Sequence, residues 1–151
     1  IAAAPSVDKS FYEKFLENNN SKILYGKTYE ILKHSCAAIV TSGTATLETA
    51  LFNVPEIVCY RSGNISYHIA KRLIKVKYIS LVNLIMEKAV VKELIQSDLN
   101  TRNLIDELEK LLHNELYRQE MFINYSELRR VLGGKGASCR VADLMYKYLN
   151  E

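Results

Sequence analysis

Ala37-Ala38-Ile39-Val40-Thr41-Ser42-Gly43-Thr44-Ala45-Thr46-Leu47-Glu48 decides the reading of this chain, because an apolar run passes through small residues directly into a helical pattern carrying a carboxylate. A short apolar run such as Ala37–Val40 predicts a buried parallel strand. Ser42-Gly43-Thr44 supplies a flexible turn and a hydroxyl able to cap the next helix. The unpaired amides and positive dipole end of such a helix favour an anion, most naturally a pyrophosphate. Glu48 falls about one turn further in, roughly 6 Å along the axis at ~1.5 Å per residue, where a carboxylate can accept both hydroxyls of a ribose. Diphosphate at the tip and pentose at the side predict a nucleotide-sugar site. The blander reading of the same letters is an ordinary strand-to-helix turn with Glu48 in solvent. Against it stand the preceding core strand and the apolar face of Ala45, Leu47, Ala50 and Leu51 on the helix that carries Glu48.

At 151 residues and 48% apolar, the chain suits one compact domain. Its apolar stretches are interrupted well short of the ~18 residues a membrane span needs, and residues 1–10 lack the layout of a secretory signal. The expectation is a soluble, cytoplasmic segment. A net charge of +3 argues against a dedicated nucleic-acid binder and is compatible with anionic small molecules or a membrane surface. Cys36, Cys59 and Cys139 form neither a C-x-x-C pair nor a zinc-ligand rhythm with His34, His68 and His113, so they read as reduced thiols, with no metal expected. No nucleophile–base–acid set is legible around those histidines.

Outward from the central stretch, Ile1–Ala4 predicts a strand, and Ser6-Val7-Asp8 caps a helix reaching about Asn18 with Phe11, Phe15 and Leu16 on one face. Lys22–Tyr25 predicts a second strand and Thr28 to about His34 a helix. After the central strand comes a helix from Thr44 to Phe52, stopped by Asn53-Val54-Pro55, and Glu56–Tyr60 forms a fourth strand. Alternating strands and helices with short connections give an α/β class: a parallel sheet covered by helices, with ligands beyond the carboxyl ends of the strands. A helix from about Ser66 to Ile74 and a short strand at Tyr78–Leu81 follow. From residue 87 the pattern reads helical throughout: Val90–Gln96, Thr101–His113, and Glu115 to about Leu132, then a bend at Gly133-Gly134-Lys135-Gly136 and a closing helix Ala137–Leu149. A chain opening on a core strand reads as a piece of a longer one.

Three further features have a functional and a plain reading. The amide of Asn83, just after the Tyr78–Leu81 segment, suits a diphosphate or sugar hydroxyl, or simply a turn. Arg61, past the Glu56–Tyr60 strand, is placed either for a diphosphate or in solvent. Tyr67, His68, Lys71, Arg72, Lys75 and Lys77 form a cationic face for anionic lipid or phosphate, or a solvated helix face. Gly133-Gly134-Lys135-Gly136 lacks the Ser/Thr and the preceding strand of a P-loop.

Taken in series, several blocks resemble one family. Thr41–Glu48, Val54-Pro55, Tyr60-Arg61, Ala70-Lys71-Arg72-Leu73, Tyr78–Leu84, Val91-Lys92-Glu93-Leu94 and Leu132–Ser138 look like the carboxyl-terminal half of lipid-A-disaccharide synthase, in order and spacing over nearly the whole chain. The resemblance implies a GT-B enzyme of two Rossmann-like domains. Residues 1–132 would be a Rossmann-like UDP-sugar donor-binding domain lacking its first strand–helix unit, and 133–151 a carboxyl-terminal helix packing on the missing half or on a dimer partner. The implied reaction joins UDP-2,3-diacylglucosamine to 2,3-diacylglucosamine 1-phosphate through a β-1,6 link, with inversion and release of UDP, without cofactor or metal. Both substrates carry acyl chains, which implies a peripheral position on the cytoplasmic face of the inner membrane of a Gram-negative bacterium; a homodimer is left open, and nucleic acid is no partner. Carried over by position, Glu48 would hold the ribose, Ser42, Gly43 and Thr44 the diphosphate, and Asn83 would complete the pocket, with Gly26 and Lys27 near the uracil. The catalytic base would lie in the amino-terminal half, so this piece alone should not turn over. Val82 departs from the family, standing where Pro is usual before the Asn. Rival readings are another GT-B transferase or epimerase using UDP-GlcNAc, and a non-catalytic α/β binding module.

Overall fold

Asn53 is where the helix carrying Glu48 stops: it takes a left-handed φ of 61°, its N–H donates to the Ala50 carbonyl at 2.9 Å, and Val54 N–H donates to the Thr49 carbonyl at 3.1 Å. These are the two bonds of a Schellman cap, and Pro55 then releases the chain into an extended strand. In the computed structural model, which describes residues 1–16, 20–41, 43–63, 77–134 and 136–150, the chain order is as follows. Strand β1 (Ala2–Ala3) and helix α1 (Lys9–Glu13) precede β2 (Leu24–Tyr25), α2 (Thr28–Lys33), β3 (Ala38–Thr41), α3 (Thr44–Leu51) and β4 (Glu56–Tyr60). Helix α4 (Leu81–Met86), β5 (Lys92–Ile95), a 3-10 turn at Gln96–Asp98, α5 (Thr101–His113), α6 (Glu115–Leu132) and α7 (Ala137–Leu149) complete it.

The fold is α/β with parallel strands flanked by helices, as the alternation predicts. The described strands form two separate pieces: a pair β1–β2, and a sheet in the order β3–β4–β5. All pairings are parallel, with Thr41 opposite Cys59 and Tyr60 opposite Ile95, so the carboxyl ends of β3, β4 and β5 lie along one edge. The ring of Tyr29, on α2, stacks on Phe52 at the end of α3 with centroids 5.1 Å apart, bridging the two pieces.

Ile57, Val58 and Leu94 from the main sheet are buried with Ala50, Val82, Leu111, Met121, Tyr125 and Leu128 from the helices. Each large apolar side chain so covered contributes about 1.5–3 kcal/mol relative to exposure. Helices α5 and α6 bury one stripe each, Met121, Tyr125 and Leu128 recurring at helical spacing on α6. Both are capped by asparagine: Asn100 Oδ1 accepts from Asn103 N–H at 3.0 Å, and Asn114 Oδ1 from Tyr117 N–H at 3.0 Å. Gly133 (φ 75°) and Gly136 (φ 97°) flank the expected bend into α7. That helix buries none of its side chains, and Val141, Leu144, Met145, Tyr148 and Leu149 are exposed along it.

Four expectations are corrected. Tyr78–Leu81 is not a strand: Ser80 is the N-cap of α4, its Oγ accepting from Asn83 N–H at 3.2 Å, so the apolar letters after it begin a helix. Val90–Gln96 is not a helix, because β4 offers an edge and Lys92–Ile95 pairs along it. Helix α1 ends at Glu13, short of Asn18, with Asp8 at the N-cap but making no side-chain cap bond. Phe11 and Phe15, expected on a packed face, are 52% and 70% exposed. The helix expected over Ser66–Ile74 lies outside the described residues, as do Tyr67, His68, Lys71, Arg72 and Lys75 of the cationic cluster. Among the described residues no helix is long and apolar enough to cross a membrane.

Candidate functional site

Gly43 is the N-cap of α3 with φ 144° and ψ −163°, a conformation that side-chain-bearing residues rarely adopt. Among the described residues, chain neighbours aside, a Cβ there would meet nothing within 4 Å, so the backbone conformation and not crowding calls for glycine. No side chain among the described residues caps α3. Of the two hydroxyls in the Ser42-Gly43-Thr44 turn, that of Thr44 belongs to the first residue of the helix and is exposed. The hydroxyl that braces the turn belongs to Thr46, whose Oγ1 donates to the Gly43 carbonyl at 2.8 Å. Thr46 N–H donates to the Gly43 carbonyl at 3.2 Å, while the Thr44 and Ala45 amides at the helix start have no intrahelical acceptor, the arrangement that suits an external anion. Ser42 lies outside the described residues.

One turn into α3, the half-buried Glu48 lines a groove of about 370 Å³ together with Gly26, Lys27, Thr28, Tyr29 and Glu30. The groove exists because Gly26, at φ 65°, turns the chain from the carboxyl end of β2 into α2. Lys27 Nζ is paired with Glu30 Oε1 at 2.6 Å on the surface, whereas no ion pair engages Glu48 among the described residues. Three residues singled out from sequence, Gly26, Lys27 and Glu48, thus share one concavity. Thr28, Tyr29 and Glu30, which no sequence motif marks, complete its wall; an aromatic in the first turn of a helix after a glycine turn was the available signal.

Arg61 is exposed just past β4, on the same sheet edge as the Gly43 turn, but does not line the groove. The residue after it is held by Gln96: Ser62 N–H donates to Gln96 Oε1 at 3.3 Å, and Gln96 Nε2 donates to the Ser62 carbonyl at 3.2 Å and to its Oγ at 3.3 Å. Gln96 takes a left-handed φ of 51° to do so. Nothing local in the sequence marks it.

Asn83 sits inside α4 and not after a strand, and it is 1% exposed. Its Oδ1 accepts from Val90 N–H at 2.7 Å and Val91 N–H at 2.9 Å, while Nδ2 donates to the Val91 carbonyl and to Glu93 Oε1, each at 2.9 Å. All four hydrogen-bonding positions of the amide are spent inside the protein. At the amino end of β4, away from the Gly43 and Arg61 edge, Glu56 is fully buried, and burial pushes its carboxyl up to about 9. Tyr125, buried beside it, is likewise made less acidic, by burial first and by Glu56 second. Tyr117 donates to Glu107 through a short hydrogen bond, and burial together with that bond raises its phenol.

A family model described as lipid-A-disaccharide synthetase matches residues 3–144. The lipid-A-disaccharide synthase of Anaeromyxobacter dehalogenans (strain 2CP-1) is 34% identical over 146 residues, covering 95% of this chain and 38% of the relative. Those of Acidobacterium capsulatum and Myxococcus xanthus are 38% identical over 122 residues and 31% over 151, covering 80% and 99% of this chain. The chain spans 38%, 30% and 39% of the lengths of these three relatives. With a match that runs through the Gly43 turn, the Glu48 helix, the Asn83–Glu93 bonds and the Gly133 bend, the chain belongs to the lipid-A-disaccharide synthetase family.

Proposed function

We propose that this chain forms the donor-binding part of an inverting glycosyltransferase that moves 2,3-diacylglucosamine from UDP-2,3-diacylglucosamine to 2,3-diacylglucosamine 1-phosphate, releasing UDP. The observation that carries the reading is the placement of Glu48 in a groove with Gly26 and Lys27, one helical turn from the open tip at Gly43. In this reading the Glu48 carboxylate accepts the ribose hydroxyls, and Gly26, Lys27 and Tyr29 border the base. The Ser42–Thr44 backbone meets the diphosphate, with Arg61 reaching it from the neighbouring strand end. Asn83 acts from behind, by fixing the segment that follows α4.

Cleavage of the bond between the sugar's anomeric carbon and the diphosphate oxygen leaves negative charge on UDP. Preorganised amides at a helix tip, together with a guanidinium, stabilise that charge as it develops, and no metal need supply it. The attacking acceptor hydroxyl needs a base, which we place in the part of the full-length protein outside this chain. Acylated substrates put the reaction at a membrane surface, on the cytoplasmic face and peripheral to the bilayer. The exposed apolar side chains of α7 support packing of residues 133–151 on the remainder of the full-length protein or on a dimer partner.

Calorimetric titration of UDP into the full-length protein and its Glu48→Gln variant tests this. Loss of a charged acceptor for two hydroxyls should weaken UDP by roughly 10- to 100-fold, at the ~1.5–3 kcal/mol typical of hydrogen bonds to a charged group. Unchanged affinity would reject the site.

A further inference from the structure

We propose that Gln96 is a positioning residue for the diphosphate contact: its side chain extends the β4–β5 ladder by one rung and so clamps the backbone at Arg61 before donor arrives. This rests on the donor-site reading above. The last backbone pair of that ladder is Tyr60 opposite Ile95. At Gln96 the chain leaves the sheet in a left-handed conformation, φ 51°, and enters the 3-10 turn. The rung that the backbone would have made next is made by the side chain. A primary amide carries a donor and an acceptor arranged like those of a peptide group, and here it accepts from Ser62 N–H at 3.3 Å and donates to the Ser62 carbonyl at 3.2 Å. A third bond to Ser62 Oγ, at 3.3 Å, closes the clamp.

Arg61 lies between these two rungs, with Tyr60 paired through the backbone on one side and Ser62 through Gln96 on the other. Its guanidinium is exposed while its backbone is pinned at both neighbours. The strand exit is thereby held at Ser62 without any ligand, which lowers the conformational cost of engaging an anion there. Other side chains fail at the position: Glu offers no donor, Lys no acceptor, and Gly would relieve the left-handed φ while deleting all three bonds. At a left-handed φ where glycine is the easier residue, what the glutamine adds is its amide, and that amide is spent on Ser62.

The experiment is UDP calorimetry and steady-state kinetics in the donor on the full-length protein, with Gln96→Gly, Gln96→Glu, Arg61→Ala and the Gln96→Gly/Arg61→Ala double variant. Removing the clamp should raise the Kd for UDP and the KM for donor about three- to tenfold with kcat changed less than about twofold, because only ground-state positioning is lost. Gln96→Glu should not rescue, since it keeps the length but loses the donors. In the Arg61→Ala background, Gln96→Gly should add less than about a twofold further loss, because the effect runs through Arg61. Amide exchange at Ser62 should accelerate in Gln96→Gly, which reports the clamp without reference to activity. Wild-type UDP affinity in Gln96→Gly, or losses that multiply in the double variant, overturn the proposal. If Glu48→Gln weakens UDP while Gln96→Gly does not, the clamp fails and the donor site stands; if neither weakens it, both fall.

Discussion

Asn83 Nδ2 and Glu93 Oε1 meet at 2.9 Å, and between them these two side chains satisfy the backbone at both ends of the α4 segment. Glu93 accepts from Ile79 N–H at 3.0 Å and Ser80 N–H at 2.8 Å, just before the helix, while Asn83 takes the Val90 and Val91 amides just after it. A helix of six residues has too few internal bonds to hold itself, so this network sets its position against β5.

Asn83→Ala strands the Val90 and Val91 amides in a buried setting and takes one donor from the Val91 carbonyl and from Glu93 Oε1, which keeps its bonds from Ile79 and Ser80, and should cost about 2–4 kcal/mol. Urea denaturation would show it as a fall in midpoint at unchanged slope. The Asn83→Ala/Glu93→Ala double variant should be less destabilised than the sum of the singles by at least ~0.5 kcal/mol, since both act on one network. Additive losses would mean two independent anchors.

Glu56 makes stability fall as pH rises. Its two carboxylate oxygens are buried without a hydrogen-bond partner among the described residues, and burial moves the group from 4.5 up to about 9. Between those values the unfolded chain has lost this proton and the folded protein keeps it. The contribution of the group is therefore fully present below pH 4.5 and is lost as pH climbs toward 9. The slope is about −1.4 kcal/mol per pH unit. Glu56→Gln, which cannot ionise, should flatten that slope in denaturation curves taken from weakly acidic to weakly alkaline pH. Parallel profiles for wild type and variant would contradict it.

The three cysteines should separate by accessibility. Cys36 and Cys139 are exposed and free, while Cys59 is half-buried near the end of β4, where burial pushes its thiol up. Alkylation by iodoacetamide at pH 8, followed by peptide mass mapping, should label Cys36 and Cys139 first and Cys59 on the order of tenfold more slowly, because the thiolate is the reacting species. Equal rates would indicate that the β4 end opens readily.

What was legible in the sequence is what is locally determined. The strand–turn–helix of β3 and α3 and the Pro55 restart of β4 follow from adjacent letters, and α5 and α6 from a helical apolar period with asparagine caps. The exchange of identities between the Tyr78–Leu81 segment and β5 has a non-local cause. Val90-Val91-Lys92-Glu93-Leu94-Ile95 places its apolar residues at i, i+1, i+4 and i+5, a helical spacing, and the open edge of β4 overrides it. Ser80 hid as a cap because apolar residues follow it at once. At the site, Gly26, Lys27 and Glu48 could be named singly, but their shared groove depends on α2 meeting α3 through Tyr29 and Phe52. Gln96 was invisible for the same reason: its partner, Ser62, is 34 residues away.

Gly43 gives the last test, because its demand is purely conformational. With φ 144° and, chain neighbours aside, no atom of the described residues within 4 Å of where an alanine methyl would sit, Gly43→Ala meets no clash with them, and its cost is the backbone energy of holding alanine there. That cost should be about 1–3 kcal/mol. Gly134→Ala is the control: its added Cβ also meets nothing within 4 Å, its φ is not in the left-handed range, and it should stay within roughly ±0.5 kcal/mol of wild type. Because the chain can relieve the strain only by rotating the turn that leads into α3, Gly43→Ala should also weaken UDP, while Gly134→Ala should not. Thermal denaturation and UDP titration of both variants check this. Equal stability in the two would show that the turn relaxes freely, and unchanged UDP binding in Gly43→Ala would separate the α3 tip from the diphosphate.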